Sequence, residues 1–404
     1  MITVNNGFVY DVERKTFVVN DSFEIEADDD WVIDASGQYV MPGLTDMHTH
    51  ISPFYAKYYL LSGVTNVRNT AGMFELVETI DEVAPEIYPT YRMIDGAPGL
   101  WGPTGDGHIA TDDIDEALDV VQENINQGAK FIKVYGHIKP DVLAAVVEAA
   151  NDADVFVAAD LIHAAHVNAI EAADLGVKYL EHASGILQCL YDDYAPGDFE
   201  TTFKSQTVAF DDARLNEVLD ILKSRDIVLV PTLALYRKNA LGKITVPDSE
   251  WIEMMRQDPA VTLDAMFEQL EPHRSANYKR YAEWEYAMMK IITKRYMDIG
   301  GSVYLGTDAP AGFWNYPGLS MIEELEIFHE LGLSAEDVLY KAIVEPQSVV
   351  VNHENYVVLD KNPLESFQNL LSISSVIVGA RYYSYDDIVS HKVDVEGINR
   401  KFGI

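Results

Sequence analysis

The chain is 404 residues long, 48% hydrophobic and 23% charged, so it can bury a sizeable core as two or three average domains or as one large barrel with an addition. Its 65 acidic residues against 29 basic ones give a formal charge of −36, which argues against nucleic acid or an anionic membrane as a partner, since both demand positive patches. The acidity fits solubility or a salty cytoplasm better than a binding role.

A single cysteine, Cys189, excludes an internal disulfide and suits a reducing compartment. No basic start followed by an apolar run opens the sequence, and no stretch nears about 18 uninterrupted apolar residues. A cytoplasmic protein is expected.

Residues 1 to 40 alternate in short β-like pieces: Ile2 to Val4, Phe8 to Tyr10, Phe17 to Val19 and Trp31 to Ile33, separated by turn residues. They are too few to build a core alone and should pair with β-like runs near the other end, at Tyr356 to Leu359, Ser375 to Val378 and Arg381 to Tyr383. The expected organisation is a small β-sandwich made from 1–40 and 349–404, with a tail, flanking a large unit over 41–348.

Inside that unit strand, loop and helix alternate. The first strand runs through Val40 and Met41 to His48-Thr49-His50. The next candidates are Gly63 to Arg68, Tyr91 to Ile94, Phe131 to Tyr135, Val155 to Val157, Val177 to Leu180, Ile227 to Thr232 and Ser302 to Gly306. Pro140 can open a helix with Leu143, Val146, Val147 and Ala150 on one face. Leu215, Val218, Leu219 and Leu222 repeat the helical spacing, and Ser334 to Asp337 reads as a helix start behind Gly332. Alternating strands and helices imply a parallel sheet, and eight units over roughly 300 residues suggest a distorted (β/α)8 barrel of the α/β class.

In such a barrel chemistry gathers at the C-terminal strand ends. His48 and His50, two apart on a strand, can present both imidazoles to one point, and imidazole is a common ligand for zinc. Lys133 interrupts the apolar fourth strand, His163 follows the fifth, His182 ends the sixth and Asp308 ends the eighth. Each has an ordinary explanation alone: a salt-bridged lysine, a core histidine, a capping aspartate. Their coincidence at one end of separate strands points to a metal centre.

The words Val40 to His50, Gly63 to Asn69, Gly128 to Val134, Tyr179 to His182, Leu305 to Ala309 and Leu359 to Leu364 resemble the amidohydrolase superfamily, in its imidazolonepropionase-like and prolidase-like branch. The resemblance spans nearly the whole chain. It implies a barrel with a β-sandwich from both termini, and two zinc ions, though other divalent metals would serve. By that resemblance His48, His50 and Asp308 hold one ion, and His163 and His182 the other. Lys133, carboxylated by CO2, bridges them; Lys130 precedes the apolar run and should lie outside.

The fifth-strand position is ambiguous. Counting forward from the preceding helix places Ala158 or Asp160 there. Counting back from His182 and the helix over 169–176 places His163 there, the preferred candidate, with His166 one helical turn further on. Without a histidine there, a single-metal site is favoured. Asn69 stands where the family often has aspartate, and Asn352 to Asn355 replace a family word before the last β segment.

The reaction implied is hydrolysis of an amide C–N bond in a small substrate, such as a dipeptide, N-acyl amino acid or cyclic amide. Metal-activated water attacks the carbonyl and Asp308 shuttles the proton. His108 is the candidate carbonyl contact, Tyr236 and Arg237 could grip a carboxylate, His137 is a further candidate contact, and Trp101 and Trp314 could line or cover the pocket. Alternatives are a carbamate, phosphotriester or decarboxylation substrate at the same metals, or a metal-poor binding barrel. A small-molecule substrate and a homo-oligomer complete the expectations.

Overall fold

A computed structural model describes residues 1–28, 30–192, 194, 211–241, 250–270, 275–349 and 354–403. Of the residues replacing the family word, Asn352 and His353 lie outside these.

The N-terminal strands are β1 (Ile2–Asp11), β2 (Thr16–Ile25), β3 (Trp31–Asp34) and β4 (Tyr39–Pro42). Ten short strands follow: β5 (Leu44–Thr49), β6 (Val64–Asn69), β7 (Glu86–Pro89), β8 (Met93–Asp95), β9 (His108–Ala110), β10 (Phe131–Tyr135), β11 (Phe156–Asp160), β12 (Tyr179–Glu181), β13 (Val228–Val230) and β14 (Ser302–Val303). The C-terminal strands are β15 (Tyr356–Leu359), β16 (Ile373–Val378) and β17 (Arg381–Ser384).

Strands from both ends share one mixed sheet, ordered β17-β16-β15-β4-β1-β2, with β3 also on β1. The pairing that joins the ends is antiparallel, β15 on β4, with Met41 opposite Val357. Ile2, Val4, Ile25, Val40, Val358 and Ile377 pack as its core. The β-like runs at the two ends thus need one another to bury an apolar face.

The middle strands form two parallel sheets, β5-β6-β7 and β14-β13-β12-β11-β10-β8-β9. The protein is α/β, with helices between the strands, as the alternating pattern predicts. The expected third strand, Tyr91 to Ile94, is found as β8, which starts only at Met93, and β7 ahead of it is an additional strand. Backbone hydrogen bonds link the two sheets on both sides of the three-stranded one. Lys130 N–H donates to Pro89 O at 2.7 Å, and Met47 N–H to Leu305 O at 2.9 Å.

The period-2 alternation of strands decides what faces where. Ile132, Val134, Val157, Ala159, Leu180 and Leu229 point outward into the core shared with the helices. Phe131, Ala158, Tyr179, Val228 and Val230 point the other way and meet Met47 in a separate inner cluster. Lys133 is two residues from Phe131 and shares its inner face.

Three expected helices appear: Pro140–Asp152 and Asp212–Ser224, with the predicted faces buried, and Ala335–Ile343 behind its predicted start. Ser334 caps the last, its Oγ accepting from Asp337 N–H. Among the described residues no helix is long and apolar enough to cross a membrane.

Candidate metal centre

The centre is best built from its floor upward. Arg68, on β6, is fully buried, and its guanidinium lies 4.0 Å from the Phe131 ring centroid and 4.5 Å from that of Tyr179. It donates to Met47 O at 3.0 Å and pairs with Glu181 Oε1 at 2.8 Å. Glu181, also fully buried, offers its other oxygen to His48 Nδ1 at 2.6 Å. Burial alone would raise the Glu181 carboxyl, but Arg68 and His48 hold it well below the usual carboxylate range. Burial, with the nearby Lys133 cation, also pushes the His48 imidazole down, which favours its neutral form.

That chain settles a tautomer. With the Nδ1 proton donated to the Glu181 carboxylate, neutral His48 carries a lone pair on Nε2. That atom is buried, makes no hydrogen bond and lies 3.2 Å from Asp308 Oδ1. His50 Nε2 approaches the same oxygen at 3.0 Å. One donor atom from each of His48, His50 and Asp308 lies within 4.8 Å of the others. An acceptor nitrogen facing an acceptor oxygen is repulsive unless a cation lies between them, so the donor set fits a divalent ion.

Asp46 and the loop after β14 lock this arrangement. Asp46 accepts from Thr307 N–H at 3.0 Å and Thr307 Oγ at 2.6 Å, tying β5 to the segment that carries Asp308. Asp308 N–H donates back to His48 O at 2.7 Å. Burial pushes the Asp46 carboxyl up to about 7. Asp308 feels burial too, yet His48 and His50 hold it well below the usual range.

A second cluster adjoins the first. His182 stacks near His48, ring centroids 4.5 Å apart, and its Nδ1 meets Thr232 Oγ1 at 2.7 Å. Its Nε2 lies 3.1 Å from Asp160 Oδ2, and Lys133 Nζ lies 3.6 Å from the same oxygen. Burial opposes charge on His182, but Asp160 keeps its imidazole above the ordinary value. His182, Thr232 and Asp308 all have positive φ, of 60°, 50° and 58°. Such backbone costs about 1–3 kcal/mol per residue and persists where surroundings over-determine it, as at functional sites.

The structure therefore brings together His48, His50, His182 and Asp308, with Lys133 joined through Asp160. His163 is not part of the His48, His50 and Asp308 group whose donor atoms cluster. The side chain facing His182 from the fifth strand is that of Asp160, the last residue of β11, as the forward count allowed. His163 lies in the following turn and lines, with His137 and His166, a cavity of about 610 Å³ at the ends of β10 and β11. No residue of the His48, His50 and Asp308 group lines that cavity.

The other candidates are placed as follows. His108 opens β9, and its Nε2 meets Pro103 O at 2.9 Å within its own loop. His137 N–H donates to Asp95 Oδ1 at 2.8 Å. Tyr236 is buried, its hydroxyl donating to His182 O at 3.2 Å, so it braces a site residue. Arg237, next on the helix, turns outward to Glu330 at 2.6 Å. Trp101 is 59% exposed, near the Tyr135 ring, and Trp314 packs on Phe267. Lys130 is exposed, and Asn69 is buried, accepting from Ile51 N–H.

The amidohydrolase family profile matches residues 31–188, the stretch that carries His48, His50, Lys133, Asp160 and His182. That stretch is less than half of the chain; over it the sequence is similar to the amidohydrolase family, and this likeness supports a hydrolase acting on carbon–nitrogen bonds. Among solved structures it is similar to bottromycin amidohydrolase, with TM-score 0.69 and 17% identity over 96% of this chain and 87% of that one. A. niger ochratoxinase aligns with TM-score 0.66 and 16% identity, covering 95% of each chain. A Xaa-Pro dipeptidase with bound methionine in the active site gives 0.63 and 16%, covering 95% and 99%. No curated protein sequence matches the chain.

Proposed function

We propose that the protein is a metal-dependent hydrolase that cleaves an amide C–N bond in a small substrate, of the size of a dipeptide, N-acyl amino acid or cyclic amide. The carrying observation is the convergence of His48 Nε2 and His50 Nε2 on Asp308 Oδ1, at 3.2 and 3.0 Å, with His48 Nδ1 already committed to Glu181. The parallel sheets are read as staves of one distorted barrel, supported by the backbone bonds that join their margins. Zinc is the metal favoured by the nitrogen-rich donors, and a cytoplasmic setting suits the lone cysteine.

A divalent ion held by His48, His50 and Asp308 supplies Lewis acidity, polarising a carbonyl and easing deprotonation of water. The chain's own groups do the rest. Glu181 and Arg68 fix the His48 ring and its tautomer. Asp308, kept ionised at neutral pH, has a carboxylate that can take a proton from attacking water and return it to the leaving nitrogen. His182, its Nδ1 on Thr232 and its Nε2 on Asp160, has both ring nitrogens engaged and holds the Asp160 carboxylate beside the centre.

The test is a panel of dipeptides, N-acyl amino acids and cyclic amides, assayed with the zinc-loaded enzyme alongside a carbamate and a phosphotriester. Turnover confined to amides, abolished by a chelator and restored by zinc, supports the reading. Turnover confined to the phosphotriester, or an enzyme that retains no metal, refutes it.

A further inference from the structure

The resemblance implies a carboxylated lysine bridging two ions, and the side chains around Lys133 do not suit that modification. Lys133 is 2% exposed and Asp160 1% exposed. The strand register places Asp160 opposite Tyr135, two residues beyond Lys133 on the same inner face, and opposite Glu181 on β12. Asp160 thus lies between Lys133 and His182, its Oδ2 at 3.6 Å from the amine and 3.1 Å from the imidazole.

Carboxylation of the ammonium joins Nζ to the carbon of CO2, releases two protons to solvent and turns a cation into an anion. Beside Asp160 that exchange replaces a buried ion pair with two neighbouring buried carboxylates. Like charges so placed are disfavoured, whereas an ammonium there supplies opposite charge to a buried carboxylate whose other neighbour is the His182 ring. A histidine at the fifth-strand position would be a neutral ligand and would leave Lys133 free to be modified. An aspartate instead supplies the anion that a buried ammonium needs.

We propose that Lys133 stays an unmodified amine, its ammonium paired with Asp160 where a second cation would sit, so that the centre holds one divalent ion. The proposal rests on the reading that His48, His50 and Asp308 bind a metal. Lys133 then acts as a fixed positive charge, present whatever the supply of metal or bicarbonate.

The experiment loads the full-length protein with zinc in ¹³C-bicarbonate, then measures bound zinc by elemental analysis and searches for a carbamate carbon by NMR. One zinc per chain and no carbamate signal are expected. The Asp160→His variant should rise to two zinc ions and gain the signal. Should that variant fail to fold, Lys133→Met serves: one zinc retained supports the proposal, and a fall from two to one opposes it. Two ions with a carbamate in the wild type overturn the proposal while leaving the hydrolase reading intact. A chain that takes no zinc refutes the hydrolase reading and with it the one-ion count. The carbamate signal then decides the state of Lys133 alone.

Discussion

Replacing Glu181 by glutamine tests the floor of the centre most directly. The carboxylate is fully buried and joins two groups, Arg68 at 2.8 Å and His48 Nδ1 at 2.6 Å. Apart from Met47 O, the Arg68 guanidinium has no hydrogen-bond acceptor, and its Nε and one terminal nitrogen are buried without one. Glutamine keeps the shape and removes the charge, leaving that cation uncompensated. Breaking a buried pair from one side costs about 3–5 kcal/mol. The metal should suffer separately, because His48 exchanges a charged carboxylate acceptor for at best a neutral amide oxygen, and an amide NH2 turned towards it would reverse its tautomer. Removing such a support typically costs 10- to 100-fold in affinity, about 1.4–2.7 kcal/mol. Denaturant titration of the metal-free protein reads the first quantity, and competition with a chromogenic chelator reads the second. The double variant Arg68→Met, Glu181→Leu should recover most of the stability and none of the affinity. Glu181→Gln within 1 kcal/mol of wild type and within twofold in zinc affinity would refute the argument.

Asp308→Asn should lower kcat at least a hundredfold and weaken zinc binding, measured by steady-state kinetics and metal analysis; activity within tenfold of wild type would remove Asp308 as the proton carrier. Arg237→Ala should leave kcat and KM within twofold, since its guanidinium faces Glu330 rather than the centre; a large rise in KM would restore it as a substrate contact. Glu285 is buried against Tyr281 at 2.7 Å, and burial pushes its carboxyl from 4.5 up to about 7. Because the folded value is the higher one, its contribution is fully present below pH 4.5 and fades as pH climbs towards 7. The loss is roughly 3 kcal/mol at 1.36 kcal/mol per unit. Glu285→Gln should flatten the fall in stability across that window, and an unchanged slope in melting experiments would show that the carboxyl is not the cause.

His48, His50 and Asp308 are legible because each is a ligand-forming residue closing an apolar run, and strand period alone sends them to one end. Lys133 is legible for the same reason: a charge in phase with Phe131 must face inward. The fifth strand was not. Its apolar run ends on Asp160 itself, and the turn over 161–168 holds two histidines whose orientation no periodicity determines. The partnership of Arg68 with Glu181 spans more than a hundred residues and leaves no local trace. One signal was available: two opposite charges, each inside an apolar strand, must find each other. Tyr236 and Arg237 show the limit of adjacency, since neighbours on a helix differ by about 100° and only one can face inward.

The strand bearing His48 begins where the terminal sheet ends. β4 passes into β5 through Gly43 alone, whose N–H donates to Asn355 O at 2.9 Å and whose missing side chain would collide with Thr65. β4 is held on one flank by β1 and on the other by β15, near the opposite terminus. During synthesis the first ligand strand therefore waits for β15 to leave the ribosome before its base is fully clamped. Nascent protein should stay unable to hold a divalent ion tightly until β15 has emerged and paired with β4.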